Sequence, residues 1–250
     1  MTQYQVLNIA HRGASAYCPE NTMAAFRRSI ELGASGIETD VQMTADGKLV
    51  LIHDETLQRT AGSPKWIKDA TLEEIQQLDA GSWFAPEFHT EQIPTLTELF
   101  ELIKPTSLMI NVELKNSIVL YPGIEEAVIN EIRHFGLEDR IVISSFNHYS
   151  LVTCKELASD IRTGALYMEG LYEPWNYAAT LKADALHPYH YAVLPEWVQS
   201  AAEQGIAYHP FTVNEIEEMR RLIDAGVAGI ITDYPDRLRD LLNQSESFSG

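Results

Sequence analysis

The sequence predicts an α/β chain folded as a (β/α)8 barrel with a small insertion after the third strand. Three observations carry that expectation. Short β-branched runs alternate with amphipathic helical patterns along most of the chain, which favours a parallel sheet. Eight or so βα units fit within 250 residues, the usual size of one barrel domain. Nothing resembles G-x-G-x-x-G or a Walker A loop, which removes the commonest nucleotide-binding versions of the open sheet. Residues 1–250 therefore read as a single catalytic barrel domain.

The strands are expected at Val6–Ala10, Gly36–Met43, Lys48–His53, Leu108–Leu114, Arg140–Ser145, Arg162–Tyr167, Ala185–His187, Ile206–Thr212 and Gly229–Thr232. That makes nine candidates for eight places, so one belongs to a hairpin. Gly36–Met43 and Lys48–His53 are the pair, joined by Asp46-Gly47, a strong two-residue turn signal. A loop of that length sets Asp40 opposite His53 and Glu38 near Glu55. Among the helices, Asn21 is expected to cap one carrying Ala25, Phe26 and Ile30, ending at Gly33. Thr71 with Glu74 and Thr95 with Glu98 read as capping boxes, and Pro105 stops the second of these helices. Asn214 with Glu217 reads as an Asn variant of the box, on a helix running to Gly226. Gly136 and Gly205 are expected just past two further helices. Residues 54–107 do not fit one βα step and read as the insertion, packed at one rim with Trp66, Trp83, Phe84 and Phe88. Residues 244–250 read as a flexible tail.

Composition narrows the function. Hydrophobic residues at 45% against 22% charged allow a sizeable core. A net charge of −18 argues against nucleic acid and anionic membrane surfaces, which need a basic face. An anionic small-molecule ligand would then need local positive charge from particular residues or a metal. Two cysteines, Cys18 and Cys154, are too few for a disulfide framework. The start MTQYQVLNIAHRG has no charged region followed by a long apolar one. No run approaches the roughly 18 apolar residues of a membrane span. A soluble, reducing, cytoplasmic setting without stable membrane insertion is the expectation, and a homo-oligomer is compatible with it.

Polar residues gather where strands end. His11 and Arg12 end the first; Glu38 and Asp40 share one face of the second; His53 and Asp54 end the third; Glu113 and Lys115 share one face of the fourth. The C-terminal rim of a parallel barrel is where catalytic groups collect. Glu38, Asp40 and Glu113 suit a hard divalent cation, since Mg²⁺ and Ca²⁺ prefer oxygen ligands. His11 and His53 suit general acid and base. Arg12 and Lys115 suit a phosphate, one as a fork and one as a point charge. Taken singly each motif has a bland reading: a structural histidine, a solvated strand face, a surface ion pair. Their coincidence at one end of otherwise apolar segments (VLNIA, KLVLI, SLMINV) favours a shared site.

The runs AHRGASAYCPENTMAAF, GIETDVQMTADGKLVLIHDETLQRT, NVELK, SSF, FTVN and GIITDYP, in this order, resemble the glycerophosphodiester phosphodiesterase family. The likeness includes DAGSWF and IPTLTEL within the insertion. It implies a barrel enzyme that cuts glycerophosphodiesters into glycerol 3-phosphate and an alcohol, using Mg²⁺ or Ca²⁺, with Mn²⁺ as a further option. It places the two catalytic histidines on His11 and His53, the metal carboxylates on Glu38, Asp40 and Glu113, and phosphate contacts on Arg12 and Lys115. Two departures stand out. Phe211 occupies a place where many members have Trp; an aromatic wall toward the substrate is kept, with its fit altered. RTAGS lacks the family's RTT-x-G pattern, which bears on the rim after His53.

Other residues have bland readings beside functional ones. HPYHY, with His187 and His190, looks like a metal cluster, but Pro188 and the flanking aromatics favour a packed turn. Cys18 reads as a loop thiol, and His148 and His209 as lesser candidates for the pocket rim. Asp233 ends a strand and suits a hydrogen bond to a site residue. Core packing is the expectation for Trp83 and Phe84. Water and the substrate's own 2-hydroxyl both fit as nucleophile, and either imidazole fits as base. A lyase-type phospholipase or a sugar isomerase on a similar barrel would use related groups.

Overall fold

The structure, a computed structural model, describes residues 6–247, with side chains described as far as residue 244. Nine strands form one sheet: β1 (Leu7–His11), β2 (Gly36–Met43), β3 (Leu49–Leu51), β4 (Met109–Leu114), β5 (Ile141–Ser145), β6 (Arg162–Tyr167), β7 (Ala185–Pro188), β8 (Ala207–Tyr208) and β9 (Gly229–Thr232). Eight of them pair in the order β8-β7-β6-β5-β4-β2-β1-β9, and each pairing along that path is parallel. Ala228 N donates to the Tyr208 carbonyl and Ile231 N to the Pro210 carbonyl, bringing β9 against the end of β8 and closing the ring. The expected barrel is therefore the observed one. Strand β8 is shorter than its apolar pattern suggests, because Pro210 has no N–H to give to the ladder.

The ninth strand explains the extra candidate. β3 pairs antiparallel with β2 only and lies off the ring. Its register differs by one residue from the expected one: Val41 faces Leu51 and Met43 faces Leu49. Thr44 N donates to the Lys48 carbonyl and Gly47 N to the Thr44 carbonyl, with Gly47 at φ 74°. This is a three-residue loop ending in a left-handed glycine, and it replaces the two-residue turn. Asp46 stays out of the left-handed region; its carboxylate instead accepts from the Thr44 hydroxyl (2.6 Å) and Leu72 N (3.0 Å). The shift sets Asp40 beside Ile52, whose N–H donates to the Asp40 carbonyl.

Ten α-helices complete the fold among the described residues: α1 (Met23–Glu31), α2 (Gln58–Ala61), α3 (Leu72–Ile75), α4 (Leu96–Ile103), α5 (Ile124–Phe135), α6 (His148–Leu157), α7 (Pro174–Leu181), α8 (Pro195–Ala202), α9 (Ile216–Asp224) and α10 (Pro235–Ser247). Helix α10 takes in residues 244–247 of the expected tail, and 248–250 lie outside the described residues. Within the expected insertion, α4 is the crossover helix between β2 and β4: Leu96, Leu99, Phe100 and Ile103 are buried in the same core as Ile37 and Ile110. The excursion proper thus starts at the hairpin and ends before Thr95. It has its own small core of Val50, Ile52, Leu57, Ile67, Ile75 and Ile93. That core is filled by aliphatics, so Trp83 and Phe84, expected in packing, lie 43% and 36% exposed on its surface.

Both Thr capping boxes form as expected. The two Asn caps do not. Thr22 caps α1, its hydroxyl accepting from Ala25 N, and Glu215 precedes α9 without a side-chain cap. Both asparagines have been drawn instead to carboxylates at the rim. The boxes give a direct check on local stability. Thr95→Ala removes the acceptor for Glu98 N at the start of the crossover helix. It should cost about 1 kcal/mol in urea unfolding and leave catalysis within about twofold of wild type.

Candidate active site

Parallel pairing fixes which residues meet at the C-terminal rim. His11 lies beside Glu38 in the β1–β2 register, and Asp40 beside Glu113 in the β2–β4 register. Ligand oxygens of Glu38, Asp40 and Glu113 lie within 4.8 Å of one another, and all three residues are buried or nearly so. His11, Glu38, Asn111, Glu113, Leu166, Phe211 and Ile231 line a single small cavity. Phe211 forms its aromatic wall, backed edge-on by Phe146 at 6.0 Å and Tyr189 at 6.2 Å. The expected glycerol-facing position of Phe211 is therefore at the cavity, although its ring is smaller than Trp.

Two cations hold the carboxylates together. Arg12 adopts φ 57°, which turns its backbone N–H onto Glu38 Oε2 at 2.9 Å. Its Nε lies 3.3 Å from Asp40 and its Nη1 donates to Glu20 at 2.8 Å. Lys115 Nζ donates to Glu113 at 3.0 Å and stands 3.9 Å from Asp40. Asn21, also left-handed at φ 54°, donates to Asp40 at 2.8 Å and accepts from Thr39.

These neighbours separate the three acids electrostatically. Burial would raise Asp40, but Arg12, Lys115 and His53 outweigh it and hold that carboxyl down at about 2. Burial and the charges of Asp40 and Glu113 push Glu38 well above the usual carboxylate range. Burial and the Asp40 charge raise Glu113 to about 7, against the pull of Lys115. A cluster of hard oxygen donors this crowded and this poorly solvated fits a divalent cation, which would neutralise it.

His11 and His53 each have a carboxylate at Nδ1. His11 meets Asp233 at 2.7 Å and His53 meets Asp54 at 2.7 Å. Such a bond fixes the tautomer and leaves Nε2 as the working nitrogen. His11 Nε2 is 4.0 Å from Glu38. Asp233 also accepts from Ser15 (2.9 Å) and Asn214 (2.7 Å), and these bonds with His11 override burial to hold it at about 2. His53 is lowered below the usual imidazole range, chiefly by burial and also by Arg12 and Lys115, against the pull of Asp40 and Asp54. His53 lines a small neighbouring cavity with Glu20 and Asn21 rather than the Phe211 cavity.

The remaining candidates resolve plainly. His187 and His209 are a buried pair, 3.1 Å apart. His209 therefore lies in the interior rather than at the rim. His190 is held by Glu218 at 2.8 Å, so HPYHY is packing. His148 bonds Tyr177 and the Leu166 carbonyl. Cys18 is buried, and burial raises its thiol. Asp233 does what its place at a strand end suggested. Unforeseen were Glu20, Arg59, Ser15, Asn21 and Asn214, each bonded to a carboxylate, a histidine partner or a cation of the rim. Asn21 and Asn214 were visible as polar residues near helix starts, and the cap reading absorbed them.

Fold and rim together define a (β/α)8 barrel with a candidate cation site at the C-terminal end of its strands. Residues 11–237 match the glycerophosphoryl diester phosphodiesterase family, and the chain belongs to that family. A "Glycerophosphodiester phosphodiesterase" of Caldanaerobacter subterraneus subsp. tengcongensis is 51% identical over 240 residues, 96% of this chain and 99% of that one. One of Bacillus altitudinis is 44% identical, over 91% of this chain and 94% of its own length. Among solved structures, a phosphodiesterase of Oleispira antarctica in complex with the product sn-glycerol-3-phosphate superposes with a TM-score of 0.89. It is 30% identical and is matched over 94% of this chain and 96% of its own. No helix among the described residues is long and apolar enough to cross a membrane.

The raised carboxyls give a pH prediction. Glu38, raised well above the carboxylate range, and Glu113, raised to about 7, hold protons that a cation must expel. Divalent-cation affinity should therefore strengthen as pH rises from about 6 to 8, with net proton release. Calorimetry in two buffers of different ionisation enthalpy measures both, and pH-independent affinity would contradict the assignment.

Proposed function

We propose that this enzyme hydrolyses glycerophosphodiesters to glycerol 3-phosphate and an alcohol by two-histidine acid–base catalysis at a cation-bearing site. The observation that carries the reading is the pair of carboxylate-bound imidazoles, His11–Asp233 and His53–Asp54, beside three clustered acids. Family membership and the likeness to a structure that binds sn-glycerol-3-phosphate support the substrate class.

Glu38, Asp40 and Glu113 would hold one divalent cation, Mg²⁺ or Ca²⁺ with Mn²⁺ as an alternative. Bound there, such an ion supplies charge neutralisation for a phosphodiester. Arg12 and Lys115, both half-buried among the acids, bind the non-bridging phosphate oxygens. Phe211 excludes water from one side and packs against the glycerol carbons. One imidazole removes a proton from the attacking oxygen at Nε2 as the new P–O bond forms. The other gives a proton from Nε2 to the departing alcohol oxygen as the old P–O bond breaks. Asp233 and Asp54 steady the imidazolium form of each ring, which the base becomes on taking its proton and the acid holds until it gives its proton up. Local cations draw the anion in despite the overall charge of −18, whose field is screened over roughly 8–10 Å at cellular salt. The free thiols of Cys18 and Cys154 suit a reducing, cytoplasmic setting.

A coupled glycerol 3-phosphate assay over choline, ethanolamine, glycerol and inositol head groups tests the reaction. His11→Ala and His53→Ala should each lower kcat by about a hundred- to ten-thousand-fold while cation binding persists. Turnover near wild type in either variant would remove that histidine from its role. Thorough chelation should abolish activity and added Mg²⁺, Ca²⁺ or Mn²⁺ should restore it; undiminished turnover after chelation would contradict the cation site.

A further inference from the structure

Arg59 lies on α2, in the excursion and outside the barrel ring, in the RTAGS segment that departs from the family pattern. Its guanidinium forms four hydrogen bonds to two carboxylates. Nε and Nη2 donate to Asp54 at 2.7 and 2.9 Å; Nη1 and Nη2 donate to Glu20 at 2.8 and 2.7 Å. Asp54 is the partner of His53, and Glu20 is the partner of Arg12. Six side chains are thereby linked in series, carboxylates alternating with nitrogen donors: His53, Asp54, Arg59, Glu20, Arg12, Asp40.

We propose that Arg59 is a positioning residue that sets His53 and Arg12 together, so that one exposed side chain governs both proton transfer and phosphate binding. The proposal rests on the catalytic reading above. Geometry favours it over a plain surface salt bridge. Only a planar fork can meet two carboxylates with paired donors on adjacent edges; an ammonium is a point charge and can bridge them only loosely. Glu20 is largely buried and accepts from both arginines. Without Arg59 it has Arg12 alone and would pull that guanidinium off its line to Asp40. Asp54, deprived of its two bonds from Arg59, would be free to swing and carry the His53 ring with it. Trp83 stands beside the guanidinium, 5.9 Å from ring centre to Cζ, and limits its escape to solvent. This gives the exposed Trp83 a task that core packing did not. The side chain of Arg59 itself is 41% exposed, and its helix has four residues, so the fold does not hang on it. The RTAGS departure spares the bridge: Arg59 is kept, and Gly62 still ends α2 in the left-handed conformation at φ 68°.

The test is steady-state kinetics on the intact protein with a saturating divalent cation. Asp54→Asn should lower chiefly kcat and Glu20→Gln should raise chiefly KM. Arg59→Lys, which keeps the charge, should move both and lower kcat/KM by about 10- to 100-fold with an unchanged melting temperature. Arg59→Ala should regain at least about tenfold in kcat/KM from millimolar guanidinium that does not stimulate the wild type. Arg59→Lys within about twofold of wild type, or Arg59→Ala without rescue, would overturn the proposal. A second readout does not need turnover: calorimetric binding of inorganic phosphate should weaken severalfold in Arg59→Lys, and equal binding would also overturn it. A wild type that cleaves no glycerophosphodiester refutes the proposed reaction instead, and the phosphate measurement still decides the Arg59 bridge.

Discussion

Three carboxylates share one poorly solvated corner of the barrel, and everything else at the rim answers to that crowding. Isolated buried acids would simply take up protons. Here Arg12 and Lys115 flank Asp40, which stays ionised, while Glu38 and Glu113 are raised. The left-handed backbone of Arg12 follows from the same demand, since it aims an N–H at Glu38 that an extended residue would direct elsewhere. Strain of this kind is tolerated where surrounding bonds over-determine it. Gly13 follows at φ 80°, where an added Cβ would meet Ala25 backbone at 2.6 Å, so the turn after β1 is tightly closed onto α1.

Around this corner, neutral and charged partners divide the labour. Each imidazole is fixed by its own aspartate, and each aspartate is fixed in turn: Asp233 by Ser15 and Asn214, Asp54 by Arg59. The two supports differ in origin. Asp233 and Asn214 come from the connections that follow the closing strands β9 and β8, whereas Asp54 and Arg59 come from the excursion between β3 and α4. The excursion thus contributes one half of the proposed acid–base pair. It packs around a separate aliphatic core of its own.

Much of this was legible in the sequence because the barrel imposes simple periodicities. Apolar runs fixed eight parallel strands, and two-residue spacing put Glu38 with Asp40 and Glu113 with Lys115 on the inner face. What the sequence concealed were choices between equally satisfied polar residues. Asn21 and Asn214 both stand where an N-cap is wanted, yet a buried carboxylate offers a stronger, charge-assisted bond than a helix N–H does. Asp46-Gly47 signals a tight turn, but the three-residue alternative spares Asp46 a left-handed backbone and frees its carboxylate to bind Thr44 and Leu72. Trp83 and Phe84 look like core from composition, and only the volume already filled by Ile67, Ile75 and Ile93 shows that no room remains. The crossover role of α4 was hidden for a different reason. Its capping box resembles that of α3, and only contact with Ile37 and Ile110 separates ring from excursion.

The central claim is spatial: one cation among Glu38, Asp40 and Glu113, and one phosphate between the two imidazoles. A crystal structure of the Mn²⁺-loaded protein with glycerol 3-phosphate tests it most directly. An anomalous peak within bonding distance of all three acids, with the phosphate reaching Arg12 and Lys115 and flanked by His11 Nε2 and His53 Nε2, is the predicted result. An ion elsewhere, or a phosphate that meets neither imidazole, would contradict the account.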